Sequence, residues 1–358
     1  MPDSAKPLDV VLDLQTKRGA RLRENRRATL LELARRPLVR SRLPRQRQRC
    51  LVNAVWSTLF GQRCLVNAVW STRTDTHGES VTDQSRGIDR SDEEPLVGDG
   101  VTQGIVRVGD TVRRPVRPFT LTIQAFLAHL HAAGFSEAPV PLGLDEQGRE
   151  VLSFVPGDVP REPLPPETAK EEVLVALAQL IRRLHDAAEG WAVPEDAVWG
   201  GIPGTQVRNS TPDGEPPLVS PRDYCPGNVV FRDGLPAALI DFDLARPTTR
   251  VDDIANALYY WAPLMHPEDR APAFRDLDIP HRVAVFADAY DMTPDQRRVL
   301  VPTATAMIGR FHVNMRAAAE RDPVFRRFWN EGAKDRLPRA ETWIQQEGPA
   351  ITAEIAHR

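Results

Sequence analysis

Residues 218–264 read LVSPRDYCPGNVVFRDGLPAALIDFDLARPTTRVDDIANALYYWAPL, the most informative segment of the chain. An apolar strand leads into a polar loop, and a hairpin follows whose turn lies at residues 232–234. The second strand of the hairpin runs directly into Asp241. Because a hairpin folds back on itself, we expect the loop that holds Asp223 and Asn228 to lie close to Asp241.

Two carboxylates and a carboxamide gathered in this way form a site of hard oxygen ligands. Mg²⁺ in proteins typically takes one or two carboxylates together with phosphate oxygens. The alternative is that each residue only shapes a turn, since Asp and Asn side chains imitate backbone hydrogen bonds. For any one of the three the turn is the better explanation, but their joint order around an apolar hairpin favours the metal site.

The sequence PRDYCPGN at residues 221–228 resembles the catalytic loop of the protein-kinase-like fold, written H-R-D-x-x-x-x-N. It is still more similar to the loop of the aminoglycoside phosphotransferase and choline kinase branch, approximately H-x-D-x-x-P-x-N. The run Asp-Phe-Asp at residues 241–243 then stands where the metal-binding D-x-D of that branch falls. The order of elements matches over roughly residues 95–350, and the motifs are specific between Asp223 and Asp253.

The resemblance implies an ATP- and Mg²⁺-dependent phosphotransferase that moves the γ-phosphoryl group to a hydroxyl of a small molecule. In such a site Asp223 orients the acceptor hydroxyl and accepts its proton, while Asn228 and Asp241 hold the magnesium ions that bridge the ATP phosphates. Asp243 assists the metal site or bonds the loop. Asp253, on the helix after the hairpin, is expected to brace the catalytic loop.

The implied fold is α+β, a two-lobed protein-kinase-like architecture with a small antiparallel β-rich N-lobe and a larger, mainly helical C-lobe. Hydrophobic periodicity agrees, with short strands around one helix candidate at residues 120–133 and a strong helix at residues 171–188. We therefore expect an N-lobe at residues 95–157 and a C-lobe at residues 158–350, after a leader at residues 1–94.

Two features of the N-lobe resemble nucleotide-binding parts. Gly100 and Gly104 lie in a glycine-rich turn that resembles a phosphate-covering loop, although plain hairpin geometry explains the glycines equally well. In the strand at residues 111–114, alternation puts Val112 and Arg114 on one face. Val112 would then cover adenine while Arg114 reaches phosphate. The alternative is an edge strand whose charges are solvated.

The segment EVLSFVPG at residues 150–157 resembles the strand and hinge that join the two lobes. In that family adenine bonds backbone groups of the hinge, which here correspond to Ser153, Phe154 and Val155. An ordinary core strand that ends at Pro-Gly fits the same residues.

Several family residues are replaced. No lysine lies between Lys17 and Lys170, and the helix candidate of the N-lobe holds no acid, so the usual Lys–Glu pair is missing and Gln124 is the nearest polar substitute. The catalytic loop has Pro221 in place of histidine and Arg222 where glycine or asparagine is common. These replacements keep a second function open, a catalytically silent kinase-like protein that binds nucleotide or ligand.

The leader differs in charge from the rest of the chain. Residues 1–50 carry a net charge of +9, and residues 51–90 are neutral. Because the whole chain has a net charge of −3, residues 91–358 carry −12. The 11-residue sequence QRCLVNAVWST occurs twice, at residues 48–58 and 62–72. Too few copies are present for a solenoid, and a like-charged segment of this kind is typically a solvated, disordered tail. A basic arm for nucleic acid is the less favoured alternative.

Composition excludes several classes of protein. No apolar run reaches the length of a membrane helix, and three cysteines without metal-ligand spacing favour a reduced, cytoplasmic protein with no membrane partner. The net negative charge of residues 91–358 favours a cationic or polyhydroxylated small molecule as the acceptor. The acceptor pocket is expected in the helical lobe, where residues 259–261 and 307–329 are candidates, although core packing explains the aromatic residues better.

Overall fold

The computed structural model describes residues 93–96, 104–205 and 218–356. The described residues fall within one compact unit of the chain. Residues 1–92 of the predicted leader, with its repeat and its basic charge, lie outside the described part, as does Gly100. The last two residues assigned to the leader, Glu93 and Glu94, belong instead to the small lobe, where Glu94 pairs with Arg107.

A five-stranded antiparallel sheet in the order β1-β2-β3-β5-β4 forms the small lobe. Its strands are β1 (Glu94–Pro95), β2 (Val106–Val108), β3 (Thr111–Arg114), β4 (Pro141–Leu144) and β5 (Glu150–Ser153), and helix α1 (Thr120–Ala132) packs against β4. The predicted helix at residues 120–133 is confirmed and ends one residue earlier, and the predicted strand at residues 111–114 is confirmed with the same ends.

The pairing of β3 with β5 sets which side chains face the rest of the molecule. Val112 lies opposite Leu152, and Arg114 lies opposite Glu150. Because side chains alternate along a strand, Val112 and Arg114 share one face, whereas Arg113 lies on the other face, 3.6 Å from the carboxylate of Asp145.

The larger lobe is mainly helical. Its helices are α2 (Glu171–Ala188), α3 (Arg250–Trp261), α4 (Ile279–Tyr290), α5 (Pro294–Arg321), α6 (Pro323–Phe328) and α7 (Lys334–Ala356). Helix α2 begins and ends at the predicted residues, and its apolar stripe, which includes Leu174, Leu177 and Ile181, is fully buried. None of the helices in the described residues is long and apolar enough to span a membrane.

Two short strand pairs lie between the helices. Strands β7 (Val229–Arg232) and β8 (Leu235–Leu239) form the predicted hairpin. Its turn residues Asp233 and Gly234 have φ of 52° and 78°, the left-handed values that a tight two-residue turn requires. Strand β6 (Leu218–Ser220) pairs with β9 (Arg246–Thr248), a strand that the sequence pattern does not predict.

The connection between the lobes packs closely on the hairpin. Asp158 and Phe231 exchange backbone hydrogen bonds of 2.9 and 2.7 Å. Gly157 precedes them with φ of 143°, and a Cβ placed there would lie 2.5 Å from the carbonyl oxygen of Phe231. Only glycine fits this position, because it has no Cβ and tolerates positive φ.

Candidate active site

The loop between β6 and β7 is buried and held by its own backbone. Asp223 and Asn228 are 6% and 1% exposed. The amide of Asn228 donates to the carbonyl oxygen of Cys225 at 2.9 Å, and its side-chain Nδ2 donates to the carbonyl oxygen of Asp223 at 3.2 Å. These bonds hold Asp223 and Asn228 on one short arc of the loop.

The β7–β8 hairpin brings Asp241 to this loop. Val229 lies opposite Leu239, and the amide of Ile240 donates to the carbonyl oxygen of Asn228 at 3.0 Å. Asp241 follows directly, with φ of 60°, a left-handed conformation that is uncommon for residues other than glycine, although Asp adopts it more often than most. Such strained residues cluster at functional sites, where the surrounding structure compensates for their cost.

Burial and neighbouring negative charge raise the pKa values of both carboxylates of this site. Burial raises the pKa of Asp223 well above its ordinary value, and the negative charge of Asp241 raises it further. Burial, followed by the negative charge of Asp243, raises the pKa of Asp241 to about 7. Closely spaced acids with raised pKa values are typical of sites that bind a cation or transfer a proton.

The donor atoms fit a magnesium ion. Asp223 Oδ1 and Asn228 Oδ1 are buried oxygens without a hydrogen-bond partner, beside the carboxylate of Asp241. Within the described residues, no three His, Cys, Asp or Glu side chains form a complete metal cage. A small set of carboxylate and amide oxygens still suits Mg²⁺, which keeps several waters and takes its other ligands from substrate phosphates.

Arg114 connects the small lobe to this acidic site. Its Nε donates to Glu150 Oε2 at 2.5 Å, and its Nη2 lies 2.8 Å from Asp243 Oδ1. Its Nη1 is 3.9 Å from Asp241 Oδ1. Burial alone would lower the pKa of Arg114, but Asp243, Glu150 and Asp241 together raise it above its ordinary value. The guanidinium is thus a fixed positive charge beside the predicted metal site.

Glu150 is the site residue that the sequence pattern does not identify. The usual partner of the phosphate-binding cation comes from the N-lobe helix, and Gln124 occupies that region here. Gln124 Nε2 donates to Glu150 Oε1 at 3.3 Å, so the helix supports the acid instead of supplying it. The acid lies on the adjacent strand, directly opposite Arg114, and is fully buried. The Lys–Glu pair is therefore replaced by an Arg–Glu pair with the acid in a new place.

The remaining small-lobe candidates lie where the two lobes meet or next to it. Val112 and Val155 are buried in one apolar cluster that also contains residues of the β7–β8 hairpin, Val230, Ala238 and Ile240. Gly104 has φ of 80° and lies just before β2.

The hinge residues differ in their backbone bonds. The amide of Ser153 donates to Val140 at 2.9 Å, and the amide of Phe154 donates to Asp110 at 2.8 Å. These two N–H groups are engaged within the lobe. The amide of Val155 makes no hydrogen bond to a described residue, so of the three predicted hinge positions Val155 offers an available donor.

Asp253 braces the loop from below. Its Oδ2 accepts hydrogen bonds from His185 at 2.8 Å, from Ser220 at 2.6 Å and from the hydroxyl of Tyr224. All four side chains are fully buried. Ser220 and Tyr224 flank Pro221, so they tie the loop to Asp253 on both sides of the position where the family has histidine.

Helix α3 supplies two further contacts to the loop, which sequence reasoning missed. Asn256 Oδ1 accepts the amide of Tyr224 at 3.0 Å, and Trp261 Nε1 donates to the carbonyl oxygen of Tyr224 at 2.6 Å. The aromatic residues Tyr259 and Tyr260 are buried in the main core with Trp261. Core packing, the alternative reading of these aromatics, therefore accounts for them.

Comparison with known proteins agrees with the loop motif. Residues 205–286 match the model of the phosphotransferase enzyme family, a segment that includes the loop and the Asp-Phe-Asp run. The chain is also 33% identical over 211 residues to the trifolitoxin immunity protein of Rhizobium leguminosarum bv. trifolii, covering 58% of this chain and 77% of that protein. The chain belongs to the phosphotransferase enzyme family. The family and the two-lobed kinase-like fold predicted from the sequence are confirmed.

Solved structures similar to this chain have low sequence identity. A choline/ethanolamine kinase family protein from Mesorhizobium loti is 15% identical, with a TM-score of 0.49, over 74% of this chain and 92% of its own. Choline kinase from Cryptosporidium parvum is 11% identical, with a TM-score of 0.49, over 75% of this chain and 94% of its own.

Proposed function

We propose that this phosphotransferase moves the γ-phosphoryl group of ATP, with Mg²⁺, to a hydroxyl group of a small molecule in the cytoplasm. The observation that supports the proposal is that the loop with Asp223 and Asn228 is bonded to the strand end that precedes Asp241, through the amide of Ile240 and the carbonyl oxygen of Asn228, with the Arg114 cation 3.9 Å from Asp241. Phosphoryl transfer needs little covalent chemistry from the protein, because catalysis comes from positioning and charge neutralisation. A site of this composition supplies both.

In this proposal each side chain has one task. Asn228 and Asp241 would hold magnesium, which when bound would neutralise charge on the phosphates. Asp243 holds Arg114 through the 2.8 Å ion pair and donates its amide to Asp241 Oδ1 at 3.2 Å. Asp223 orients the acceptor hydroxyl and accepts its proton. Its raised pKa suits that task, because a carboxylate of higher pKa is a stronger base and accepts a proton more readily.

Nucleotide contacts come from the small lobe. Arg114 grips a phosphate, Val112 covers the adenine, and the free amide of Val155 donates to the base. Gly100 and Gly104 would flank the loop that covers the phosphates. Ser153 and Phe154 would contribute only backbone carbonyl groups, because their amides already donate to Val140 and Asp110 within the small lobe.

The second candidate is a protein that binds nucleotide without transferring phosphate. One observation favours it: Arg114 already neutralises Asp243 and lies 3.9 Å from Asp241, so the cation competes with magnesium for the same carboxylates. In the first candidate this pair opens when nucleotide binds, and in the second it persists. Binding and turnover measured on the same sample separate the two.

Substitution of Asp223 by Asn tests the proposed base. We expect phosphoryl transfer to fall by about 10²–10⁴-fold, the usual contribution of a general base, while ATP affinity stays near that of the wild type. Asp233→Asn is the matched control, since Asp233 lies in the exposed hairpin turn. The acceptor is found first by a thermal-shift screen of hydroxyl-bearing compounds with ATP and Mg²⁺, including antimicrobial compounds because a relative is named as an immunity protein. Transfer at the wild-type rate by Asp223→Asn would show that the role assigned to Asp223 is wrong.

A further inference from the structure

Three arginines gather beside the catalytic loop on different elements. Arg222 directly precedes Asp223 in the loop, and Arg246 on β9 lies opposite Ser220 on β6. Arg310 reaches the same place from helix α5, where its Nη2 lies 2.5 Å from Asp252 Oδ1. The family pattern does not require any of these three residues.

The acids of this region do not balance the three cations. Asp252 bonds both Arg222, at 2.6 Å, and Arg310, at 2.5 Å. Asp253 is also near, but its Oδ2 already accepts three hydrogen bonds from the loop-bracing side chains. The side chain of Arg246 forms no ion pair or hydrogen bond with any described residue, although Asp252 and Asp253 lie near enough to attract its charge. One guanidinium of the cluster is therefore left without a directly bonded anion.

Arg222 also has a side-chain nitrogen without a partner. Its Nε is buried and has no hydrogen-bond partner, although its Nη1 donates to Thr248 Oγ1 at 2.5 Å. Its backbone has φ of 59°, a strained value for a residue other than glycine. Buried donors without partners are rare in proteins, and each one needs an explanation such as backbone strain, an ordered water, an ion or a ligand.

The electrostatics agree with this geometry. Burial and the positive charge of Arg222, to which Arg310 adds, outweigh the opposing charges of Asp252 and Asp253 and lower the pKa of Arg246 to about 9. An anion placed among the three guanidinium groups would relieve this repulsion. The half-exposed side chain of Arg310 keeps the cluster open to solvent.

We propose that Arg222, Arg246 and Arg310 bind an anionic group, a carboxylate or a phosphate, of the acceptor molecule. Arginine binds both groups through paired, charge-assisted hydrogen bonds. The proposal rests on the proposed function for its statement about the acceptor, and it names the acceptor class: hydroxyl-bearing acids or phosphorylated polyols. The group would anchor the molecule next to the hydroxyl that Asp223 orients.

This inference refines the expectation drawn from the net charge of the chain. The net negative charge of residues 91–358 would attract a cationic acceptor from a distance, but salt at physiological concentration screens charges that are more than about 8 Å apart. The arginines adjoin the loop itself, so their charge dominates at the point of contact. A polyhydroxylated acceptor, the other half of that expectation, remains compatible provided it also carries an anionic group.

The first experiment uses inorganic phosphate as the probe. We expect phosphate, at constant ionic strength against chloride, to bind saturably to the full chain in calorimetry. Arg246→Gln removes no internal bond and should weaken this binding by about tenfold or more, as for the loss of one charge-assisted hydrogen bond. The control Arg316→Gln changes an exposed arginine on the same helix as Arg310 and should bind phosphate as the wild type does. Equal phosphate affinity in Arg246→Gln and wild type would overturn the site. A loss of phosphate affinity in Arg114→Gln alone would also overturn it, because the phosphate would then bind in the nucleotide site.

The second experiment asks whether the anion belongs to the acceptor. The acceptor screen compares neutral polyols, amino-polyols and hydroxy acids or phosphorylated polyols. For an accepted substrate, Arg246→Gln should raise the acceptor KM by about tenfold while kcat changes little, because it removes binding and leaves the reacting groups in place. An unchanged KM together with lost phosphate binding would overturn the assignment to the acceptor and identify a free anion instead. If the protein transfers phosphate to no compound, the proposed function is wrong. The phosphate-binding measurement would still show whether the anion site exists, because it does not depend on transfer.

Discussion

At the scale of single residues, the site depends on how one buried cation is held. Arg114 is buried among three carboxylates and bonds Glu150 most closely. Arginine cannot give up its proton in a protein, so it needs permanent partners where it is buried. The acid opposite it on β5 provides one that does not belong to the predicted metal site. Arg114 is therefore anchored even if Asp241 and Asp243 turn towards a metal ion.

The variant Glu150→Gln tests this anchor. We expect the free energy of unfolding to fall by about 1–3 kcal/mol, because a charge-assisted bond is lost while Asp243 still pairs with Arg114. ATP should also bind more weakly, since the guanidinium is then drawn further towards Asp243. Urea unfolding and calorimetry measure the two effects. Glu146→Gln, in the exposed β4–β5 turn, is the control and should change neither; an equal response of the two variants would contradict the anchoring role.

The difference between Glu150 and Asp241 shows what a sequence can reveal about this site. Asp241 was predictable because the loop, the hairpin and the acid are consecutive, so local turn geometry brings them together. Glu150 was not, because its contact with Arg114 depends on the pairing of β3 with β5 across an intervening helix. The arginine cluster was hidden for the same reason, since Arg310 joins it from a distant helix.

At the scale of elements, helix α3 organises the catalytic loop. Thr249 caps its first turn by accepting the amide of Asp252 at 3.2 Å. Asp253 then ties the loop through Ser220 and Tyr224, and Asp252 ties it through Arg222. Both the helix after the hairpin and the bracing role of Asp253 were expected from the family resemblance. Strand β9, only three residues long, gave no recognisable pattern.

The ion pairs of Asp252 predict a pH dependence of stability. Burial would raise the pKa of Asp252, but Arg222 and Arg310 more than offset it and hold the pKa below its ordinary 3.8. The unfolded chain therefore takes up a proton before the folded one does, so this stabilisation is present above pH 3.8 and is lost as the pH falls further. As the pH is lowered from about 6 to 3, the free energy of unfolding should fall less in Asp252→Asn than in the wild type, as measured by urea unfolding. Asp233→Asn should keep the wild-type slope, and a wild-type slope in Asp252→Asn would contradict the pairing.

At the scale of the whole molecule, the two lobes meet along the hairpin. Val112 and Val155 of the small lobe pack with Val230 and Ile240 in one apolar cluster. The backbone bonds between Asp158 and Phe231 fix the connection at the edge of this cluster. The lobe boundary near residue 157 follows from the Pro-Gly pair in the sequence, but the close approach to the hairpin does not.

Gly157→Ala tests how tightly this connection is fixed. We expect a loss of stability of more than about 1 kcal/mol, since alanine at positive φ is strained and its Cβ would also clash with the carbonyl oxygen of Phe231. Gly148→Ala is the control for the backbone term alone, because Gly148 also has positive φ but has open space around it. Thermal unfolding compares them. If the two variants lose the same stability, the close packing of the connection on the hairpin does not contribute.

The most direct test of the central claim is the magnesium dependence of ATP binding in wild type and Asp241→Asn, measured by calorimetry on the full chain. If Asn228 and Asp241 hold a metal ion beside Asp223, Mg²⁺ should strengthen ATP binding to the wild type by about tenfold or more. The same response should appear in Asp233→Asn and be lost in Asp241→Asn. ATP binding that ignores Mg²⁺ in the wild type, or that keeps its full response in Asp241→Asn, would contradict the account.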